Sequence, residues 1–348
     1  MLRILAADIG GTHSRFALFH APDTCALVIE RELTLAGRDY PDFSAVLKAL
    51  FLPGQNGAPP FLDAGALPDV TVIAPAGPVQ DNICRMPNLP WIIRVQDIRE
   101  ILRIPSVHLI NDFAAQAYAC LTPKAVDAVR ILPVSPSGIL GGTPRAGAPV
   151  AVMGAGTGFG QALLLNAQTF DDGLSLAAAR ERFRQVRVLP SEGGHAEFAF
   201  AGEEECAFAR FVARRVGTSG ASRLIGDSVV SGSGLVHLLA FHTGLNLSGR
   251  EAAEKAPEHP QVMADFARFY ARLCRNYVLH TLALGGLYIT AGMALRIPVL
   301  SHPAFAEEFY NCAAQRHLLE QVPVRHVRNP QAGLWGAAFY GLLQERSA

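Results

Sequence analysis

The chain has 348 residues, of which 50% are hydrophobic and 17% are charged, and its formal net charge at pH 7 is zero. This length exceeds what one hydrophobic core usually supports, so two domains are expected, and the low charged fraction argues against long disordered regions. Basic residues do not cluster with aromatic ones. The composition therefore supports neither a nucleic-acid surface nor a polybasic membrane patch, and small molecules are the expected partners.

The cysteine pattern and the start of the chain predict a cytoplasmic protein. The six cysteines, Cys25 among them, are scattered without the spacing of a zinc knuckle or a CxxC pair, so reduced thiols are expected. The first eight residues are too short for the apolar region of a signal peptide. Residues 276–295 lack Asp, Glu, Lys and Arg and are long enough to span a bilayer. Their glycines and His280 instead predict a buried helix followed by a buried strand, so no membrane association is expected.

The first third of the chain alternates predicted strands and helices. Residues 2–7 and 14–19 are strands around a glycine turn, and a third strand covers residues 26–33. Further along come a helix at 41–52, a strand at 70–74, a short helix at 97–102 with Asp97 as N-cap, a strand at 107–110 and a helix at 113–121. This order favours sheets covered by helices.

The middle of the chain repeats the opening pattern. Residues 150–154 form a strand, residues 155–158 a glycine turn and residues 159–165 a returning strand, which indicates a duplicated architecture. Mostly helical sequence follows, at 203–216, 235–243 and 261–284, with a strand at 287–290 and a last helix at 334–344. The fold class is therefore α/β with mixed sheets.

Two familiar phosphate-binding motifs are absent from the sequence. A Walker A loop needs Gly-Lys-Ser/Thr, whereas Lys48, Lys124 and Lys255 are each followed by alanine. A dinucleotide fingerprint needs G-x-G-x-x-G opening a helix, but the glycines at 154, 156, 158 and 160 have other spacing and precede a strand. The sequence therefore excludes a P-loop and disfavours a Rossmann dinucleotide site.

What remains is a pair of glycine hairpin turns whose bare backbone N–H groups can approach phosphate oxygens. The candidate phosphate-binding residues are Gly10, Gly11, Thr12, Gly156, Thr157 and Gly158. Asp8, before the first turn, is a candidate to hold Mg²⁺ through water. The alternatives are that the glycines only close hairpins and that Asp8 only caps the loop.

Polar residues after the strand at 107–110 are candidates for the chemistry. Phosphoryl transfer to an alcohol needs a carboxylate that accepts the hydroxyl proton, and Asp112 lies where α/β ligand sites form, with Asn111 beside it. The alternative role for Asn-Asp is the N-cap of the next helix. Glu192 and His195 flank two glycines, and their polar groups can bind a polyhydroxy ligand. This role is favoured over zinc binding.

Together these motifs resemble bacterial glucokinases of the hexokinase and actin-like ATPase superfamily, from about residue 4 to residue 343. The motifs are residues 8–15 (DIGGTHSR), 109–113 (LINDF), 154–158 (GAGTG), 192–195 (EGGH), 231–234 (SGSG) and 288–293 (YITAGM).

The resemblance implies an ATP-dependent hexose kinase, with glucose as the expected acceptor, Asp112 as general base and Mg²⁺ accompanying ATP. It implies hexose contacts from Asn111, Glu192 and His195, a place for Asn88 in the sugar pocket, and Gly292 on the adenine side. A homodimer is also expected.

The implied architecture is a two-domain actin-like ATPase fold with an interdomain cleft. The smaller domain is expected to contain residues 1–111 and 333–348, and the larger one residues 112–332.

The sequence departs from the family pattern at two positions. His13 stands where the family usually has Asn, and Asp227 where it usually has a sugar-binding Glu. The missing methylene shortens the reach by roughly 1.5 Å, which is expected to weaken glucose binding or to shift preference to another hexose. The alternatives are therefore a kinase of fructose, mannose or an amino sugar, and a sugar-binding or ATP-binding sensor without transfer activity.

Overall fold

The computed structural model describes residues 2–22, 26–54, 58–122, 126–132, 143–168, 173–217, 224–290 and 292–344. Cys25, Lys124 and Ala291 lie outside the described residues. The chain divides into two compact units. The first contains Met1–Val126, Ala167–Val188 and Gln331–Ala348, and the second contains Asp127–Asn166 and Leu189–Pro330. The domain boundaries expected from the sequence stay a prediction.

The regular elements are as follows. From residue 2 to residue 122 they are β1 (Leu2–Ile9), β2 (His13–Ala21), β3 (Val28–Ala36), α1 (Phe43–Ala49), β4 (Val70–Pro75), β5 (Val79–Gln80), β6 (Ile83–Arg85), β7 (Ile92–Arg94), α2 (Val95–Leu102), β8 (Ser106–Leu109) and α3 (Asp112–Ala119). From residue 126 to residue 344 they are β9 (Ala128–Leu132), β10 (Val150–Ala155), β11 (Phe159–Leu165), α4 (Leu176–Phe183), β12 (Arg187–Ser191), α5 (Gly202–Arg215), α6 (Gly226–Val229), α7 (Gly232–Thr243), α8 (Gly249–Lys255), α9 (Pro260–Thr281), β13 (Gly286–Thr290), α10 (Gly292–Arg296), α11 (Pro303–Phe309), α12 (Arg316–Leu319), β14 (Val324–Val327) and α13 (Ala332–Gln344).

The sheet of the first unit has the strand order β3-β2-β1-β4-β8. β1 pairs antiparallel with β2 up to Ile9 and Ser14, and it pairs parallel with β4, which pairs parallel with β8. β4 is buried along its whole length, as expected for a strand covered on both faces. Because parallel strands end at the same edge, the residues after β1, β4 and β8 emerge together.

The C-terminal helix α13 completes the core of this first unit by packing against β1 and α3. Close approach depends on small residues: a Cβ on Gly336 would overlap the carbonyl of Ala115, and one on Gly341 would lie 3.0 Å from Ile4 Cγ2. Phe339 meets Phe183 of α4 edge to face, with ring centroids 5.2 Å apart. The last helix therefore packs against the N-terminal sheet.

The second unit repeats the first in strand order. Its sheet runs β12-β11-β10-β13-β14-β9. β10 pairs antiparallel with β11 and parallel with β13, and β13 pairs parallel with β14. The first five strands thus correspond to those of the other sheet, which confirms the repeat predicted from the two glycine turns. β9, β12 and β14 were not predicted from the sequence.

The uncharged stretch at 276–295 has the predicted form. α9 ends at Thr281 and β13 begins at Gly286, and both contribute to the hydrophobic core of the second unit. Among the helices of the described ranges, none is both long and apolar enough to cross a membrane.

The predicted N-cap of α2 is wrong. The helix starts at Val95, its N-cap is Arg94, and Asp97 lies inside the first turn. There Asp97 Oδ2 lies 3.8 Å from Arg94 Nη1, so the acid interacts with the helix start from within the turn.

Candidate active site

The site residues of the first unit follow the carboxyl ends of its parallel strands. The first hairpin turn (residues 10–12) follows β1, and Asn111 and Asp112 follow β8. Hydrogen bonds hold the ends of these strands together. Ala76 N, after β4, donates to Ile9 O of β1 (2.9 Å), and Ile110 N, after β8, donates to Ile73 O of β4 (3.0 Å). The sheet therefore brings the predicted phosphate turn and the predicted base to one edge.

Asn111 is the N-cap of α3, as the alternative interpretation of the sequence stated. Its Oδ1 accepts hydrogen bonds from Phe113 N (2.9 Å) and Ala114 N (3.2 Å). Its Nδ2 donates to Gly77 O (3.1 Å), after β4, and to Asp112 Oδ1 (2.9 Å). The residue is only 8% exposed. Asn111 therefore ties together β4, the start of α3 and the carboxylate of Asp112.

Asp112 is the first residue of α3 and is half-buried. Its Oδ1 accepts from Phe113 N (2.9 Å) as well as from Asn111 Nδ2. A negative charge is favourable at a helix N-terminus, because the unpaired N–H groups of the first turn point toward it. The carboxylate is thus held in a defined orientation at the strand edge. Such orientation is what a general base requires.

The first hairpin turn is held on both sides. Gly10 N donates to His13 O (3.0 Å), and Thr12 O accepts from Gly37 N (2.9 Å). A Cβ on Gly11 would lie 3.1 Å from Asn88 Cβ, so glycine lets Asn88 pack on the turn. The side chains of Thr12 and His13 are exposed. Asn88, which the family resemblance places in the sugar pocket, therefore lies against the first hairpin turn of the same unit.

Asp8 lies at the end of β1, with its carboxylate close to α13. Its Oδ2 would lie 3.1 Å from a Cβ on Gly333 and is 3.9 Å from Arg15 Nη1. Burial raises the pKa of Asp8 above its ordinary value, and the charge of Arg15 opposes this shift. A divalent cation nearby would favour the ionised form. One partly buried carboxylate fits Mg²⁺, which takes one or two carboxylates and keeps several waters.

The second hairpin turn (residues 156–158) joins β10 to β11 and has three residues, like the first. Gly156 N donates to Gly158 O (2.7 Å), and Gly156 O accepts from Gly232 N (3.0 Å) at the start of α7. Apart from Gly156 itself and its two chain neighbours, no described atom lies within 4 Å of a Cβ built on Gly156, and the side chain of Thr157 is exposed. The turn therefore offers bare backbone and a hydroxyl, as its predicted role requires.

The EGGH turn (residues 192–195) packs directly on β11. Gly193–His195 is a 3₁₀ turn, and a Cβ on Gly194 would overlap the carbonyl of Phe159. Only glycine permits this approach. Glu192 Oε2 lies 3.4 Å from His195 Nδ1, and the two side chains are 54% and 63% exposed. Their polar groups are therefore accessible for a polyhydroxy ligand.

Asp227 lies on α6, next to the second hairpin turn. Its Oδ1 accepts a hydrogen bond from Phe159 N, the first residue after the turn. The backbone beside it is fixed to the segment after the EGGH turn by a hydrogen bond from Gly226 N to Ala196 O (3.0 Å). Within the second unit, the fold therefore brings together three predicted parts: the hairpin turn, the EGGH turn and Asp227.

Gly292 begins α10, and β13 before it is the parallel neighbour of β10. It therefore lies at the same sheet edge as the second hairpin turn, consistent with its predicted role near the nucleotide.

Sequence reasoning missed several residues that support these turns. Tyr270 of α9 accepts a hydrogen bond from Ala155 N (3.1 Å), just before the second hairpin turn. Buried Gln161 lies against Gly193. Ser231 caps α7 by accepting from Gly234 N (3.3 Å). The SGSG motif was the only local signal among these, because the other contacts join residues far apart in sequence.

Within the described ranges, no group of three or more His, Cys, Asp or Glu side chains is arranged to hold a metal ion.

Solved structures share this fold along nearly the whole chain. A glucokinase from an Antarctic psychrotroph is 26% identical, with a TM-score of 0.72 and coverage of 98% of this chain and 99% of that one. The glucokinase of Balamuthia mandrillaris in complex with glucose gives a TM-score of 0.73 at 18% identity, covering 99% and 94% of the two chains. A ROK family glucokinase from Streptomyces griseus with glucose and AMPPNP gives 0.58 at 16% identity, covering 97% and 99%.

The repeated sheets, their paired glycine turns and these likenesses define the class of protein: a two-domain sugar kinase with the actin-like ATPase fold. Among curated relatives, the glucokinase of Nostoc punctiforme is 27% identical over 97% of this chain and 98% of its own length. That of Psychromonas ingrahamii is 29% identical over 97% and 96%. The family model for glucokinase matches residues 5–344, so the chain belongs to the glucokinase family.

Proposed function

We propose that this protein transfers the γ-phosphoryl group of ATP to glucose, giving glucose 6-phosphate and ADP, with Asp112 accepting the proton of the reacting hydroxyl. The observation that carries the proposal is the orientation of Asp112. Its Oδ1 is fixed by Phe113 N and Asn111 Nδ2 at the sheet edge where the first hairpin turn also emerges. Family membership supports the reaction and the acceptor.

Asp112 acts by position and charge. Phosphoryl transfer involves little covalent chemistry for the protein, so catalysis depends on aligning the hydroxyl and on stabilising charge. A carboxylate within hydrogen-bonding distance of the sugar hydroxyl both orients it and takes its proton as the bond to phosphorus forms. Asn111, whose amide donates to Asp112, keeps the carboxylate in this orientation.

The sugar contacts are proposed for Asn88, Asn111, Glu192, His195 and Asp227. Glu192 supplies acceptor oxygens, and His195 a ring nitrogen that donates or accepts according to its tautomer. The Asn111 amide already makes four hydrogen bonds, two through each polar atom. Its main contribution is therefore to orient Asp112.

The phosphates of ATP are proposed to bind the backbone N–H groups of the two hairpin turns and the hydroxyls of Thr12 and Thr157, with Gly292 on the adenine side. Asp8 would hold Mg²⁺ through water, and the ion supplies charge neutralisation on the transferring group. The enzyme is further proposed to be a cytoplasmic homodimer.

The reaction is tested by mixing the purified protein with ATP, Mg²⁺ and one sugar at a time, measuring ADP release and identifying the product. Glucose is expected to give the highest kcat/KM and glucose 6-phosphate as product. Higher kcat/KM for fructose, mannose or an amino sugar would reassign the acceptor. Sugar binding without any phosphorylated product would make the protein a sensor.

The role of Asp112 is tested by Asp112→Asn. The amide keeps the shape of the side chain but cannot accept the proton, so kcat is expected to fall by roughly 10²–10⁴ while the Kd for glucose stays nearly unchanged. Asp97→Asn, which alters another acid in the first turn of a helix in the same unit, is the matched control and should retain full turnover. Near-wild-type kcat for Asp112→Asn would contradict the assignment.

A further inference from the structure

The side chain of Gln161 is an exception among the buried polar side chains of the described ranges. The buried Asn, Gln, Asp, Glu and Arg residues there are Asn111, Gln161, Glu205, Asp265, Arg272 and Glu308. All of these except Gln161 form side-chain hydrogen bonds with other protein groups. Gln161 is only 5% exposed, and its amide makes no hydrogen bond to any described residue.

A buried amide without partners is unfavourable. A glutamine side chain carries two N–H donors and a carbonyl acceptor, and burial removes the hydrogen bonds that these groups make with bulk water. Native proteins pair nearly all of their buried polar groups with protein, ordered water or ligand. The amide of Gln161 is therefore expected to pair with a group other than these protein groups.

Gln161 lies against the EGGH turn. A Cβ built on Gly193 would lie 2.5 Å from Gln161 Oε1 and 3.1 Å from Nε2, so the whole amide packs on the second residue of the turn. The turn itself is well fixed, because Gly193 N donates to Ser191 Oγ (3.1 Å) and His195 N donates to Glu192 O (2.9 Å). The amide is therefore held beside the turn that carries Glu192 and His195.

β11 places Gln161 close to Asp227 as well. Gln161 pairs with Met153 of β10 in the antiparallel ladder. Two residues earlier on the same strand, Phe159 N donates to Asp227 Oδ1, and the Phe159 carbonyl lies against Gly194. Gln161, Asp227 and the EGGH turn thus form one cluster within the second unit.

We propose that Gln161 is a further sugar-binding residue, whose amide hydrogen-bonds a hydroxyl group of the hexose held by the EGGH turn. A hydroxyl both donates and accepts, so it can pair with either end of the amide. Ionised Glu192 and Asp227 only accept, whereas Gln161 Nε2 adds donors to the same cluster. The proposal rests on the proposed function to the extent that the EGGH turn binds the hexose.

The binding test uses Gln161→Met, which nearly keeps the length of the side chain and removes the amide. Kd for glucose, measured by calorimetry, is expected to rise about three- to tenfold, the effect of one hydrogen bond. KM for glucose should rise in parallel, while KM for ATP changes less than about twofold. Gln321→Met, at an exposed glutamine of the same unit, is the matched control and should bind glucose like the wild type.

The stability of the free protein is expected to respond differently from glucose binding. Replacing a buried, unpaired amide with an apolar group of similar shape is neutral or stabilising. Without glucose, Gln161→Met should therefore melt at the wild-type temperature or higher, whereas the rise in melting temperature on adding glucose should shrink. A lower melting temperature of the free variant, combined with an unchanged Kd for glucose, would mean that Gln161 only supports the fold and would overturn the proposal.

Deoxy sugars identify the hydroxyl that Gln161 contacts. Glucose analogues that lack one hydroxyl each, taken in turn around the ring, are titrated into the wild type and Gln161→Met. Loss of the contacted hydroxyl should weaken binding to the wild type but not weaken binding to the variant further, because the bond is already absent there. Fully additive losses for every analogue would show that the amide contacts no hydroxyl, against the proposal.

Failure of the proposed function gives a different pattern. A wild-type protein that binds glucose without phosphorylating it would refute the kinase reaction, and the titrations would still decide the role of Gln161. A wild-type protein that phosphorylates glucose, together with an unchanged Kd in Gln161→Met, would overturn the role of Gln161 alone. A wild-type protein without affinity for any hexose would overturn both.

Discussion

At the scale of single residues, Tyr270 illustrates how a distant side chain supports the second hairpin turn. It is fully buried, and its hydroxyl accepts a hydrogen bond from Ala155 N, the last residue of β10. Burial raises the pKa of Tyr270 well above its ordinary value, so the hydroxyl stays neutral. The end of β10 thus depends on a residue of α9 that lies 115 positions away.

Tyr270→Phe is expected to destabilise the protein by about 1–3 kcal/mol, because Ala155 N would be buried without a partner. Chemical unfolding measures the loss, and a raised KM for ATP is expected because the hairpin turn follows directly. Tyr310→Phe is the matched control in the same unit, since the buried Tyr310 hydroxyl has no hydrogen-bond partner among the described residues. Equal losses in the two variants would show that the Ala155 bond contributes nothing specific.

At the scale of elements, three helices of the second unit meet through buried charges. Arg272 of α9 bonds to Glu205 of α5 (Nη1 to Oε2, 2.5 Å) and to Glu308 of α11 (Nε to Oε1, 2.8 Å). Arg275 Nη1 also lies 2.8 Å from Glu308 Oε1. Burial acts to raise the pKa of Glu308, but the hydrogen bond and charge of Arg272, assisted by Asn311 and Arg275, lower it overall.

The lowered pKa of Glu308 gives a pH-dependent contribution to stability. A carboxyl with a depressed pKa in the folded state stabilises the protein fully above its unfolded-state pKa, about 4.5, and this stabilisation is lost as pH falls from there through the lower folded-state pKa. Glu308→Gln removes one partner of a buried ion pair, so it should cost about 3–5 kcal/mol at neutral pH. The variant has no such contribution to lose in acid.

The melting temperatures of wild type and Glu308→Gln are therefore expected to differ most near neutral pH and to converge as pH falls below about 4.5 and through the lowered pKa of Glu308. Thermal unfolding followed across this range measures the difference. Glu307→Gln, the exposed neighbour on α11, should melt like the wild type throughout. A difference that stays constant or widens on acidification would contradict the assigned pKa direction.

At the scale of the whole molecule, the repeated strand–turn–strand unit could be predicted from the sequence, and the contacts that support it could not. Each glycine turn is a local signal between two apolar strands, so the hairpins and the duplication could be predicted. The predicted strand at 107–110 is also a local signal, and it placed Asn111 and Asp112 at a sheet edge. The N-cap role of Asn111, weighed as an alternative, is confirmed.

What escaped sequence reasoning depends on contacts between residues far apart in the chain. The bond between Asp227 and Phe159 joins positions 68 residues apart, and no local pattern marks it. β9 pairs with β14 across almost 200 residues, with an irregular register. Asp97 was misassigned because Asp is common both at the N-cap and within the first turn, and the two positions differ by only a few residues.

The last prediction separates the requirements of the two substrates for the molecule as a whole. The residues proposed for the sugar, with Glu192 and His195 on the EGGH turn, are distinct from Asp8 and Thr12, which are proposed to hold Mg²⁺ with ATP. Chelation of Mg²⁺ by EDTA should therefore abolish turnover but leave glucose binding intact. Glucose at about 100 times its Kd should still stabilise the protein by about 2.7 kcal/mol, seen as a raised melting temperature with or without EDTA. Added Mg²⁺ should restore turnover. Loss of the glucose-induced stabilisation in EDTA would mean that the ion also organises the sugar site, and persistent turnover in excess EDTA would remove Mg²⁺ from the reaction.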